Sequence, residues 1–228
     1  LNNVLEDGSL EYSEWHYGPQ ERMFAALKAE ISSSNFLFSK ASFIASAQNI
    51  NEERFKRKFG SNTRSSNSEN VKVYGFNADL VRVMDSTSEL FYGLEITNNT
   101  VVSDAFTEDI TTSEKGSEST RYPDGGSGMS TGAFYLSYAH TFKKLIAKIG
   151  GRYNYNNLQA RFIDDSFVAL PFGSINTTSQ AFSGNLGLVY LPTKNFKSNL
   201  NISTGFRSPN IDDFGKVFKK GDFVVIPN

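Results

Sequence analysis

The side chains best suited to chemistry in this sequence are few, and they lie between apolar stretches. Trp15, His16 and Tyr17 stand together, as do Arg121, Tyr122 and Asp124, and Arg207 is closely followed by Asp212 and Asp213. Aromatic rings with cations beside them offer stacking and charge-assisted hydrogen bonds to an anionic ligand. These residues are therefore the candidate ligand-binding set. Two histidines, His16 and His140, are too few for a convincing metal site, and the absence of Cys removes thiolate ligands and disulfides. The acid pairs Asp164–Asp165 and Asp212–Asp213 have oxygens of the kind that hold divalent cations, but neighbouring carboxylates are common in loops. No nucleophile has a base at a suggestive spacing, so no catalytic residue is assigned and an enzyme is not expected. No cofactor is implied. The net charge is −1, and the basic run Arg54, Lys56, Arg57, Lys58 reads as a solvated loop or protruding hairpin, with no nucleic-acid partner expected.

The elements that position these residues read as long β-strands. In the stretch 145–156, Leu145, Ala147, Ile149, Tyr153 and Tyr155 share one parity, and Lys148, Arg152 and Asn154 share the other. Side chains alternate across a strand, so one face is apolar and the other mostly polar. A strand of about a dozen residues is long for a globular protein and matches a tilted membrane-spanning strand of about nine to eleven residues. Similar alternation predicts strands over 22–32, 36–49, 71–84, 89–102, 131–142, 179–191 and 196–207. The first of these has a helical rival, because MFAALKAEI is rich in helix formers. Residues 1–20 read as an exposed loop.

The connections decide the architecture. Those at 33–35, 85–88, 143–144 and 192–195 are short, whereas the polar stretches 49–70, 103–130 and 158–178 each run to roughly twenty residues or more. In an up-and-down meander every second connection lies on the same rim. All short turns then share one rim and all long connections the other, as in outer-membrane barrels. The fold class expected is all-β: an antiparallel up-and-down transmembrane β-barrel segment of about eight long strands, part of a larger barrel and occupying 1–228. On this reading Leu145, Ala147 and Ile149 face lipid, Tyr153 and Tyr155 join the outer aromatic girdle, and Lys148, Arg152 and Asn154 face the lumen. Arg207 faces the lumen near the outer mouth and pairs with Asp212 or Asp213. His140 falls at the interface near the short-turn rim. A passive porin or adhesin-like barrel and a soluble β-sandwich binding module are the alternative readings.

The segment Thr204-Gly205-Phe206-Arg207-Ser208-Pro209-Asn210-Ile211-Asp212-Asp213-Phe214 resembles a recurring barrel motif of TonB-dependent outer-membrane receptors, a strand end reading roughly G-F-R-x-P followed by a loop. The stretches Glu14–Gln20 and Arg121–Gly125 resemble Bacteroidetes-type versions of that family. The resemblance implies a large plugged barrel in the outer membrane of a Gram-negative bacterium. It implies uptake of a scarce nutrient such as a ferric siderophore, haem or cobalamin, with energy delivered by TonB. The partners implied are outer-membrane lipid, a small-molecule or metal-chelate ligand, and TonB through a segment absent from this chain. The chain opens at Leu1 without an initiator Met or signal segment and stops at Asn228 without a closing strand, so it is expected to be a piece of the barrel domain.

Overall fold

The computed structural model describes all residues except 1–4, 6, 7, 34, 165, 168, 169, 171, 215–217, 221, 222 and 226–228. The strands of the main sheet are β1 (Tyr12–Tyr17), β2 (Glu21–Ser32), β3 (Lys40–Lys58), β4 (Thr63–Val83), β5 (Ser88–Asp109), β6 (Lys115–Ser117), β7 (Ser127–Phe142), β8 (Leu145–Arg161), β9 (Ser174–Thr193) and β10 (Phe196–Ser203). A single turn of helix, α1 (Ile211–Phe214), and a separate pair, β11 (Phe218–Lys220) and β12 (Phe223–Val225), follow. All eight expected strands are present, and 22–32 is strand rather than helix: β2 pairs with β3 from Glu21↔Asn51 to Ser32↔Lys40.

The long strands pair antiparallel with their sequence neighbours in the order β3-β4-β5-β7-β8-β9-β10, which is an up-and-down meander. The sheet is open, with β1 and β2 along one edge and β10 at the other. Unpaired edge groups are not tolerated in lipid, so this is a segment of barrel wall whose two edges must be met by other strands. Among the described residues no helix is long and apolar enough to cross a membrane.

The register sorts the side chains into two faces. One row across the sheet reads Ala29, Phe43, Ala78, Leu94, Phe134, Tyr153, Phe182. This face is uncovered: Phe182 is 82% exposed, Leu27 75% and Ile149 60%. Large apolar side chains left bare on one whole face mark a surface made for lipid. A soluble sandwich would bury that face under a second sheet, and no described element lies on it. Tyr153 and Phe182 lie 4.9 Å apart between ring centroids, and Tyr153 donates to Gln180 at 2.8 Å, polar tip toward the water boundary. At the other rim His140 is bracketed by Tyr138 and Phe142 and bonds Ser88 at 2.8 Å, the interfacial setting expected of it.

The opposite face is polar. A row there reads Ser42, Asp79, Gly93, Tyr135, Arg152, Ser183. Arg152 pairs with Glu95 and bonds Asn154 at 2.8 Å, and Tyr135 donates to Asp79. Arg152 and Ile149 therefore lie on opposite faces, as alternation requires.

The long connections differ from expectation. Most of 49–70 is strand, since β3 runs on to Lys58, the turn is only 59–62, and β4 resumes at Thr63. Likewise β5 extends to Asp109, β8 to Arg161, and β9 begins at Ser174. At about 3.3 Å per residue, strands of 21 and 22 residues overshoot a roughly 25 Å apolar band by about half their length. The overshoot lies on the outer side, where Lys72, Asn70 and Ser68 replace Tyr74 and Phe76 on the lipid parity of β4. Above the band no face need be apolar, so the period-two hydrophobic signal disappears while backbone pairing continues.

The expected loop over 1–20 is also corrected. β1 pairs with the protruding end of β3, from Tyr12↔Lys58 to Tyr17↔Arg54. Gly18 donates to the Glu53 carbonyl at 2.8 Å, and a Cβ on it would stand 2.7 Å from Glu53 Cβ. Pro19 has no N–H for the ladder, so the strand breaks there before resuming as β2. At the far end β10 stops at Ser203, and 204–210 is irregular, so Arg207 stands beyond the strand rather than within it.

Candidate functional site

The protruding walls are stiffened by cross-strand ion pairs: Arg57–Glu14 at 2.8 Å, Lys58–Glu11 at 2.9 Å and Arg64–Glu108 at 2.5 Å. Partly solvated pairs of this kind contribute only about 0–1 kcal/mol each, so together they orient this part of the sheet more than they stabilise it. Rings reinforce them, with Arg64 5.6 Å from the Phe55 centroid and Lys58 5.9 Å from that of Tyr12.

On the inner side of these walls two connections fold back against the sheet. Within the β5–β7 connection, Ser65 donates to Glu118 at 2.6 Å, Asn67 reaches the Ser119 carbonyl at 3.5 Å, and Tyr122 N reaches Ser103 Oγ at 3.5 Å. Beyond β10, the Pro209 carbonyl accepts from Asn156 at 3.3 Å. The inner residues of β8 and β5 are covered accordingly: Leu158 is 1% exposed, Asn156 3% and Ser103 4%. Their outward neighbours Gln159 and Asp104 are exposed, and Asn157 is half-buried.

These folded-back segments bring part of the candidate set together. Tyr17 and Arg54 share the inner parity of β1 and β3, with the guanidinium 5.4 Å from the ring centroid. Arg54 bonds Glu52 through Nε at 2.8 Å. Glu69, opposite Glu52 on β4, lies within electrostatic reach of both Arg54 and Arg121. Arg121 stands 5.4 Å over the Tyr122 ring, and Tyr122 hydrogen-bonds Asp212. Burial, reinforced by Asp212, pushes the Tyr122 phenol up against the opposing pull of Arg121. The result is a continuous polar and aromatic series: Tyr17, Arg54, Glu69, Arg121, Tyr122, Asp212.

Arg207 meets one of its two expected partners. It donates to both oxygens of Asp213, at 2.6 and 2.9 Å. Asp213 also accepts from Asn210 N at 2.8 Å, and Asn210 Oδ1 accepts from Asp213 N at 3.2 Å. That reciprocal pair is a capping box with Asn210 as N-cap and Asp213 at the third helical position, and it explains the single turn α1. The Asn210 N–H and the Arg207 guanidinium hold the Asp213 carboxyl below its ordinary range.

Three candidates stand elsewhere. His16 alternates away from Trp15 and Tyr17 and stacks on Phe55 at 5.3 Å. Trp15 packs edge-on to Tyr17 at 5.9 Å, above the series. Asp124 accepts from Ile163 N at 2.9 Å and Asp164 N at 2.8 Å, so its carboxylate organises the β8–β9 connection. Asp164 caps Ser166 N at 2.9 Å, while Asp165 lies outside the described residues. Among the described residues no group of three or more His, Cys, Asp or Glu could hold a metal ion. Sequence reading passed over Arg54 and Glu69. Arg54 looked like one of a solvated run, and Glu69 gave no sequence signal, because it is the returning β5–β7 connection that buries it.

Comparison with known proteins agrees with this architecture. The fold is similar to that of a solved structure described as the copper transporter OprC, with a TM-score of 0.74 at 9% identity over 90% of this chain and 33% of that one. It is also similar to the unliganded ferric citrate transporter FecA, with a TM-score of 0.60 at 13% identity over 83% of this chain and 28% of that one. The chain thus spans about a third or less of the length of these structures. No curated protein matches the sequence. A family model for a TonB dependent receptor-like β-barrel matches residues 5–223. With strand order, face chemistry and sequence model in agreement, the chain belongs to the TonB-dependent receptor-like β-barrel family.

Proposed function

We propose that this chain is the outer part of the barrel wall and mouth of an outer-membrane receptor that imports a scarce nutrient with energy passed through TonB. The nutrient classes proposed are a ferric siderophore, haem or cobalamin, and the location is the outer membrane of a Gram-negative bacterium. The observation that carries the reading is the inward-facing series Tyr17, Arg54, Arg121, Tyr122, Asp212, built where the folded-back connections meet the lumenal wall. Guanidiniums beside aromatic rings fit an anionic, partly planar chelate. Trp15, His16, Asp124, Arg207 and Asp213 are proposed as its surroundings, with Arg207 and Asp213 fixing the rim. OprC and FecA, whose folds are similar, are described as a copper and a ferric citrate transporter, and they lend support to metal or metal-chelate cargo.

The test is uptake of radiolabelled iron, supplied as haem or as a ferric siderophore, and of labelled cobalamin, in cells with and without the full-length protein. Uptake of one of these is expected to depend on the protein and to vanish in cells lacking TonB. Arg54→Ala with Arg121→Ala is expected to cut it at least about tenfold, two charge-assisted contacts being worth about 1.5–3 kcal/mol each. Uptake that persists without TonB would favour a passive porin, and wild-type uptake by the double variant would remove the series from the ligand path.

A further inference from the structure

Glu69 is left chemically incomplete by the arrangement around it. The residue is 5% exposed, and neither carboxylate oxygen accepts a hydrogen bond from a described residue. It lies above the apolar band, on the inner parity of β4. Glu52 and Arg54 face it from β3, and the guanidinium of Arg54 is already engaged by Glu52. Arg121 faces it from the folded-back segment 118–122, with Tyr122 and Asp212 behind. On β5 its opposite neighbour is the uncharged Ser103.

An ionised carboxylate in this position has lost water and gained no hydrogen bond. The two guanidiniums offset part of that cost, but burial outweighs them and pushes Glu69 above the ordinary carboxylate range. Two events would relieve the remainder. A proton would neutralise the group, or the covering segment would lift and let water in. Of the hydrogen bonds among the described residues that tie this segment to the wall, those of Asn67 to the Ser119 carbonyl and of Tyr122 N to Ser103 Oγ are at 3.5 Å, the long limit of a hydrogen bond.

We propose that Glu69 is a proton-operated latch: protonated, it lets segment 118–122 stay seated on the inner wall, and on losing its proton it lifts the segment, drawing Arg121 away from the half-buried Arg54. The closed state binds the proton more tightly than the open one, so closure strengthens as pH falls and weakens as pH rises. The device is independent of which ligand the mouth takes. It would leave the two guanidiniums, half-buried in the seated state, more open at higher pH.

Hydrogen exchange followed by mass spectrometry on the assembled full-length protein tests it, read at the amides of 118–122 and corrected for intrinsic exchange. Protection should fall as pH rises from mildly acidic to mildly basic, with a slope of up to about tenfold per pH unit, the limit for one linked proton. Glu69→Gln removes the titration and should give high protection that is flat with pH. Glu69→Leu, equally neutral, serves if the glutamine variant does not assemble. Flat protection in the wild type, or an unchanged pH slope in the neutral variant, overturns the latch.

Discussion

Gly93 supplies the floor on which Tyr135 crosses the lumenal wall, and replacing it with alanine tests how that wall is braced. Tyr135 on β7 reaches over β5 to bond Asp79 on β4, and its ring lies above Gly93, its direct partner across the ladder. A Cβ on Gly93 would stand 2.7 Å from Tyr135 Cζ and closer still to the Ala78 carbonyl oxygen. The ring must lift and the β4–β5 ladder must shift. Overpacking of this kind costs about 1–3 kcal/mol. Loss of a hydrogen bond to a carboxylate adds about 1 kcal/mol, below the usual range of about 1.5–3 kcal/mol for a charged partner because the face is half-exposed. Gly93→Ala should therefore destabilise the barrel by about 2–4 kcal/mol. The control is Gly132→Ala, where a Cβ meets nothing within 4 Å and the change should stay within about 0.5 kcal/mol. The assay is denaturant unfolding of the full-length protein in detergent, followed by heat-modifiable migration on a gel. Tyr135→Phe completes a double-mutant cycle: it should cost about 1 kcal/mol in the wild type and almost nothing beside Gly93→Ala. Equal midpoints for the two alanine variants, or an equal cost of Tyr135→Phe in both backgrounds, would refute the brace.

Two further outcomes follow from the faces and the rim. Ile149→Arg places a charge on the lipid side and should cost about 2–4 kcal/mol if the site is near the bilayer midplane, visible as lost outer-membrane assembly, whereas Lys148→Ala on the lumen side should assemble normally. Asp213→Asn removes both the Arg207 clamp and the charged arm of the capping box, so amides 208–213 should exchange faster at neutral pH. Because the Asp213 carboxyl is held below its ordinary range, the clamp is fully present at neutral pH and is lost as pH falls through that lowered value. Wild-type protection at 208–213 should then decline only on strong acidification, and protection lost already at mildly acidic pH would assign the clamp to another group.

The sequence alone determined the meander, the two faces and the direction of each strand. Within the lipid band one parity must be apolar, and a period of two written in Leu, Ile, Phe and Tyr can be read without coordinates. Arg207 with Asp213 was legible because both partners lie within seven residues on one short segment. Above the band the same code fails: Glu52, Glu53, Arg54 and Phe55 alternate between two wetted faces, so residues 49–58 look like a loop although every one is paired, Arg57 and Lys58 with β1 and the rest with β4. His16 was grouped with Trp15 and Tyr17 for the same reason, since no hydrophobic period marked β1 as a strand that would turn His16 outward. The site itself was decided by tertiary structure. Arg54, Glu69, Arg121 and Asp212 come from three separate stretches of chain, and only the return of 118–122 onto the inner wall buries Glu69 and brings Arg121 to it. That return is long-range packing, fixed by where the protruding walls stand in space, and no local pattern encodes it.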